Sequence, residues 1–343
     1  MPLLLNGSSN TVRGILGAMR FVTTAGATRP FEGPEAALVQ SMAQVFGEVR
    51  PDLELEELLN DQHRHHADAD RALALLCADL TSPRERHEAM VAATLCALVT
   101  EDFDEGAAHA VKTLAEALAI DDDLALKIDQ LSGTAAQRVG ADLLRHFMSE
   151  KSGVAEEILQ ARLDAGGPPL VTDPSVFAQY EELLHAAPPG SAGEEVLNFY
   201  AHTGFAIPGS VGAPPLEVLG AHDVTHVLAG YATSAEDEIY VALFSAANSV
   251  ESGIDYLAAI MVQWHHEVKI GIFTPSRSAL SPGVLAEATR RGAATATDFS
   301  TASFDWQGLL HLPLADARAS VGIEGVGTVT ASGPWDAFGR GGS

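Results

Sequence analysis

Basic residues are scarce in this chain: 20 Lys and Arg stand against 46 Asp and Glu, a formal net charge of -26. Such a surface repels phosphate backbones, so no nucleic-acid partner is expected. It also resists anionic membrane surfaces unless one face is spared the charge. Cysteine is nearly absent. Cys77 and Cys96 are the only two in 343 residues and form no Cys-x-x-Cys pair, so a disulfide framework, a zinc ribbon and a dithiol redox motif lack their residues. Both lie in apolar runs, "ALALLCADL" and "AATLCALV", and read as buried free thiols in a reducing, cytoplasmic setting. No stretch reaches the roughly 18 apolar residues of a membrane span. "MPLLLNGSSN" has no basic leader, so no secretory signal is expected. Without a Gly-rich phosphate loop or a Gly-x-Ser-x-Gly elbow, nucleotide and serine-hydrolase chemistry have no footing.

What is present is helix. Hydrophobic residues make up 47% of the chain, enough for ordinary cores, and the length favours two domains. From 34 to 165 apolar residues recur at three-four spacing in Ala- and Leu-rich runs: "PEAALVQSMAQVFGEV", "RALALLCADL", "RHEAMVAATLCALV" opened by Ser82 and Pro83, "EGAAHAVKTLAEALAI", and "LALKIDQLSGTAAQRVGADLLRHFMSEK". "DAGGPPLVTDPS" then breaks the pattern. The expected organisation is all-α: an N-terminal segment 1–33, a helical domain 34–165, a Gly/Pro-rich junction, a second helical domain 175–325 and a loose tail 326–343.

The informative text lies in the second half, in "LGAHDVTHVLAGYATSAEDEIYVALF". His222 and His226 are four apart, hence one helical turn apart on one face. Asp223 lies beside them. Glu238 follows His226 after eleven intervening residues, in the first turn of a helix that Ser234 caps. Two imidazoles and carboxylates are the donors of a divalent transition metal: Zn, Fe, Mn or Co. Val224, Val227 and Leu228 make the helix face apolar, and polar groups buried there need partners, which a metal supplies.

At these residues the chain resembles the family of the fourth Coq protein of coenzyme Q (ubiquinone) biosynthesis, whose signature is His-Asp-x-x-His, eleven residues, then Glu. "HVLAGY", "PPGSAGEEVLNFY", "EATRRGAATATDF" and "FDWQGLLHLPLADARASVGI" resemble further family segments in the same order, over residues 175–325. Asp237 stands where the family usually has Gly, and Asn248 where glutamine is common; both departures bear on the substrate more than on the metal. The resemblance implies metal-dependent oxidative decarboxylation and hydroxylation of a lipophilic, prenylated aromatic carboxylate, with His222, His226 and Glu238 as ligands and Asp223 a ligand or an orienting partner. It also implies a lipid-binding helical tunnel, for which Leu228, Tyr231, Phe244, Ile260 and Trp264 are candidates, and a scaffold role among biosynthetic partners, peripheral to a membrane. The text from Glu85 to Asp123 resembles the tellurite-resistance TerB-like helical fold, with Glu101, Asp102, Asp104 and Glu105 as an acidic loop read as solvated.

Two rivals come from other classes. One is a non-catalytic prenyl-lipid-binding or scaffold protein whose metal orders the fold. The other is an HD-type metal phosphohydrolase, which would draw on His202 and Asp255 or Asp298 but leaves the Glu238 spacing unexplained. "WHHE" (His265, His266, Glu267) reads as capping or solvated, and "HRHH" (His63–His66) as an adventitious metal binder. Exposed apolar helix faces leave room for a homodimer.

Overall fold

The computed structural model describes residues 7–49, 68–100, 104–120, 136–166, 168–249, 253–269 and 280–323. The protein is all-α, as its apolar spacing predicts. Among the described residues the only strand-like feature is one antiparallel bridge between Ser191 and Pro313. None of the described helices is long and apolar enough to cross a membrane. The tail 326–343 and the His63–His66 run lie outside the described residues.

The chain forms two compact units, each drawing on separate stretches of sequence: Met1–Leu143 with Leu257–Ala293, and Leu144–Tyr256 with Ala294–Ser343. The first contains α1 (Ser9–Thr23), α2 (Gly33–Val49), α3 (Ala69–Asp79), α4 (Pro83–Leu98) and α5 (Glu105–Ala117). α1 falls in the segment 1–33, where no element is expected from the sequence. The signal was present: Ser8 accepts from the Thr11 amide as N-cap, and Val12, Ile15, Leu16, Met19 and Val22 recur at three-four spacing, all buried. Gly14 and Gly17 dilute the propensity, yet Gly14 is where the Leu80 side chain closes in, within 2.7 Å of where a Cβ would stand. Arg13 clamps Asp79 through two hydrogen bonds of 2.8 and 2.6 Å.

α4 opens as the sequence indicates. Ser82 and Glu85 form a capping box, and Pro83 supplies the preset first-turn φ. Its far end is finished by α12 (Gly253–Trp264) and the residues after it. His265 Nε2 is 3.0 Å from the Val99 carbonyl and His266 Nε2 is 3.0 Å from the Leu98 carbonyl. The "WHHE" histidines therefore close a helix end. Cys96 is buried, with its thiol pushed up by burial, and Cys77 is half-buried and donates to the Ala117 carbonyl.

The second unit contains the end of α6 (Ala136–Ser152), α7 (Glu156–Asp164), α8 (Pro174–His185), α9 (Ala192–Thr203), α10 (Leu216–Ala229), α11 (Ala235–Ala246) and α14 (Leu314–Ser320). α10 lies at its centre, packed on α9, α11 and α14. The stretch before α14 is tied to the start of α9: Gly193 donates to the Leu310 carbonyl at 2.7 Å, Ala192 to Leu312 at 2.9 Å, and Leu314 to Gly190 at 3.0 Å. Asp237 and Asn248 both have structural partners here. Asp237 accepts from Ser234 Oγ at 2.7 Å, and Asn248 Nδ2 reaches the Thr295 and Thr297 carbonyls at 3.0 and 2.9 Å.

α10 keeps its register partly through Gly220. A Cβ there would stand 2.8 Å from the Trp306 indole and 2.8 Å from Leu216 Cδ1. Alanine in place of a helical glycine gains about 1 kcal/mol in propensity, but overpacking against a rigid ring costs about 1–3 kcal/mol. Gly220→Ala is therefore expected to lower the urea unfolding midpoint; a midpoint equal to or above that of the wild type would contradict this packing.

Candidate metal centre

α10 and α11 bring the centre together. Gly230 takes the left-handed conformation at φ 79°, ends α10, and donates to the His226 carbonyl at 2.8 Å. The turn swings the Tyr231 carbonyl back toward the His226 ring, 3.2 Å from Nδ1. A carbonyl only accepts, so Nδ1 carries the proton and Nε2 faces the centre. Arg318 of α14 donates to the carbonyls of Val227 and Leu228, each at 3.0 Å, and holds this helix end in place. Four residues after Gly230, Ser234 caps α11 and puts Glu238 in its first turn, where the helix dipole favours a carboxylate.

The result is a tight triangle. His226 Nε2 lies 3.0 Å from His222 Nε2, His222 Nε2 lies 3.2 Å from Glu238 Oε2, and His226 Nε2 lies 3.6 Å from the same oxygen. Two bare nitrogen lone pairs repel at that separation, so a hydrogen or a metal ion has to stand between them. Metal–nitrogen bonds of about 2.0–2.1 Å in tetrahedral geometry set ligand atoms about 3.3–3.4 Å apart. The three edges bracket that figure. Without a metal, a proton fills the role. Burial opposes charge on His226, but Glu238 outweighs it and lifts the imidazole above its ordinary range. Burial and His226 together depress His222. Burial works against the Glu238 carboxylate as well, yet His226 and the His222 hydrogen bond hold it well below the usual carboxylate range.

Asp223 does not join the converging donors. It accepts from the Tyr200 hydroxyl at 3.0 Å, and Tyr180 in turn donates to Tyr200 at 3.3 Å. Burial pushes Asp223 up to about 7, against the opposing pull of His226 and Tyr200. Tyr256 is the other neighbour, its hydroxyl 3.0 Å from His222 Nδ1. With the cation at Nε2, the His222 Nδ1–H donates to it. Phe147 stacks on Tyr256 at 4.0 Å, and Phe199 lies over the His226 ring at 5.7 Å.

No family model, curated protein or solved structure matches this chain. The likeness to the coenzyme Q family rests on the motif residues themselves.

The remaining candidates fall as follows. Leu228, Tyr231 and Phe244 are fully buried in the unit that holds the triangle, with the last two rings 6.1 Å apart. Ile260 and Trp264 belong to the other unit. His202 is exposed, and Asp298 accepts from Ser300; neither enters the cluster. The Asp255 side chain, Glu101 and Asp102 lie outside the described residues. Asp104 caps α5 through the Ala107 amide at 2.7 Å and pairs with Arg29. Tyr200 closes the stretch "PPGSAGEEVLNFY", but its hydroxyl meets Asp223 only through the packing of α9 on α10. Tyr256 and Arg318 carried no signal, since each reaches α10 from a remote part of the chain.

Asp223 yields a pH prediction. Burial raises its pKa in the folded protein to about 7, above the ordinary carboxylate range. Stability from the neutral acid is full below about pH 4 and is lost as pH rises through about 7. Asp223→Asn keeps an oxygen for Tyr200 and has no charge to bury. In urea titrations of metal-free protein the variant should gain on the wild type between pH 5 and pH 8. A stability difference that does not change with pH would refute the assignment.

Proposed function

We propose that this chain is a metal-dependent protein acting on a lipophilic aromatic carboxylate, replacing a ring carboxyl by hydroxyl. The observation that carries the reading is the convergence of two imidazole nitrogens and one carboxylate oxygen, in a buried place, at edge lengths that suit tetrahedral metal coordination. His222, His226 and Glu238 would hold the metal, which supplies Lewis acidity and open positions for a carboxylate or dioxygen when bound. In the proposed reaction the ring–carboxyl bond breaks and carbon dioxide leaves. The ring takes one oxygen from dioxygen, and the other leaves as water after two electrons and two protons from an external reductant.

The protein's own residues have separable parts in this. The Tyr231 carbonyl and the Tyr256 hydroxyl orient the two imidazoles, as outer partners of metal ligands commonly do. Asp223, neutral below about pH 7 and held by Tyr200, adds polarity behind His226. Leu228, Tyr231 and Phe244 supply apolar wall in the same unit. An HD-type phosphohydrolase gains less support, because its aspartate should ligate and Asp223 faces Tyr200 instead. The proposed setting is cytoplasmic, with transient access to a membrane for a lipophilic substrate.

The test is elemental analysis of tag-free protein. About one transition metal per chain is expected in the wild type, with near-complete loss in both His226→Ala and Glu238→Gln. Uptake should tighten as pH rises, because metal displaces the proton shared by His226. A wild type without metal, or variants that keep theirs, would end the reading; a loaded protein that binds alkylated hydroxybenzoates without turnover would leave a carrier or scaffold.

A further inference from the structure

A stretch of this acidic chain is free of charge. Residues 203–216, "TGFAIPGSVGAPPL", hold no Asp, Glu, Lys, Arg or His. They link α9 to α10, and Gly204, Gly209 and Gly212 take positive φ, which turns the backbone sharply. Phe205 is 51% exposed, and Val211, beside the turn at Gly212, is wholly exposed. The loop lies against the start of α8 and the segment before it. Thr172 Oγ1 accepts from the Leu216 amide at 2.8 Å. A Cβ on Gly209 would meet Thr172 Cγ2 at 3.1 Å and Phe177 Cδ2 at 3.2 Å. The chain neighbours of those two residues face outward: Val171 is 72% exposed and Val176 39%. From 165 to 180 the only charged residue is Asp173.

Exposed apolar side chains gathered on adjoining segments mark a contact surface, and charge narrows what can cover it. A net charge of -26 repels anionic lipid and acidic partners, and the patch offers no Lys or Arg to draw them in. A neutral apolar phase meets neither obstacle. Val211 stands clear of the rest of the protein at a turn. Side chains placed in that way enter fluid acyl chains one at a time, whereas a second copy of the chain requires a self-complementary face. The patch also belongs to the unit that holds the triangle. The Phe205 ring meets Phe199 edge to face at 6.3 Å, and Phe199 lies over His226.

We propose that the uncharged loop 203–216, with Val171 and Val176 beside it, is the surface by which this chain docks on a zwitterionic lipid bilayer. It names the surface for the membrane access in the reading above, but its test needs neither metal nor turnover. The test is co-sedimentation of the full chain with vesicles of pure phosphatidylcholine, and with vesicles of phosphatidylcholine and phosphatidylserine in equal parts. Wild type should bind the first and bind the second more weakly. Val211→Asp should weaken binding to phosphatidylcholine about tenfold or more, the loss of one buried valine. Its side chain is wholly exposed, so the substitution leaves the fold intact and carries the test. Phe205→Ser should act in the same direction. Leu75→Asp adds the same charge at an exposed position of α3 in the other unit and should change nothing. No binding to phosphatidylcholine would overturn the proposal, as would stronger binding to the anionic vesicles or equal loss in the Leu75 variant. So would a lipid-free wild type that is dimeric and becomes monomeric in Val211→Asp, which would give the patch to a second copy. Metal content is read on the same samples: bound metal without vesicle binding sinks this proposal alone, and vesicle binding by a chain that never holds metal sinks only the metal reading.

Discussion

A hydrogen or a cation has to stand where His222, His226 and Glu238 meet. Two imidazole nitrogens 3.0 Å apart, with a carboxylate oxygen 3.2 and 3.6 Å away, cannot be stable as bare lone pairs in a buried place. Either a proton or a metal ion satisfies them. The proton does so weakly, since one hydrogen serves three acceptors in a triangle. A divalent ion serves all three at once, with twice the charge and near its preferred bond lengths. On the proposed reading, a metal would replace one shared hydrogen by a bond to each of the three atoms.

The backbone enforces this crowding. The left-handed residue at Gly230 lets the chain reverse within a few residues, so α11 starts beside the end of α10. The same reversal presents the Tyr231 carbonyl to His226, so one turn fixes both the position of the carboxylate helix and the tautomer of the imidazole. Arg318 then satisfies the last carbonyls of α10 from a helix ninety residues on. Helix α10 is apolar almost all round and has neighbours on several sides, so its register cannot slip without moving both histidines.

How much of this the sequence disclosed follows from how local each signal is. Helix starts at Ser82 and Ser234 and the stop at Gly230 were legible because a cap is written within four residues of the end it makes. The spacing of His222, His226 and Glu238 was legible because one helix and one tight turn separate them. Tyr256 and Arg318 were not, since each meets α10 only through tertiary packing. Asp223 shows the limit within the motif itself. Its neighbour in sequence is a ligand candidate, but adjacent residues on a helix diverge by about 100°, and it turns to Tyr200. In the first unit, α1 was hidden by Gly14 and Gly17, the first of which makes room for Leu80, and the pairing of His265 and His266 with α4 joins segments more than 160 residues apart.

The charge distribution bears on what such a site can select. The chain carries -26 overall, so a free small anion is repelled until it is within about a Debye length, roughly 8 Å, of a local cation. Inside, on the proposed reading, Glu238 is the ionised carboxylate, Asp223 is largely neutral below about pH 7, and a bound metal would supply the cation. An anion is welcome at the centre and unwelcome on the way there. The ligand that crosses such a barrier brings binding energy from elsewhere, and apolar surface supplies it at about 0.8 kcal/mol per buried methylene. Decyl-length chains outweigh the repulsion felt by a single carboxylate, whereas phosphate or acetate bring nothing to offset it. On the proposed reading, a lipophilic acid would be favoured over a small inorganic anion, because burial of its tail would offset the repulsion of the acidic chain.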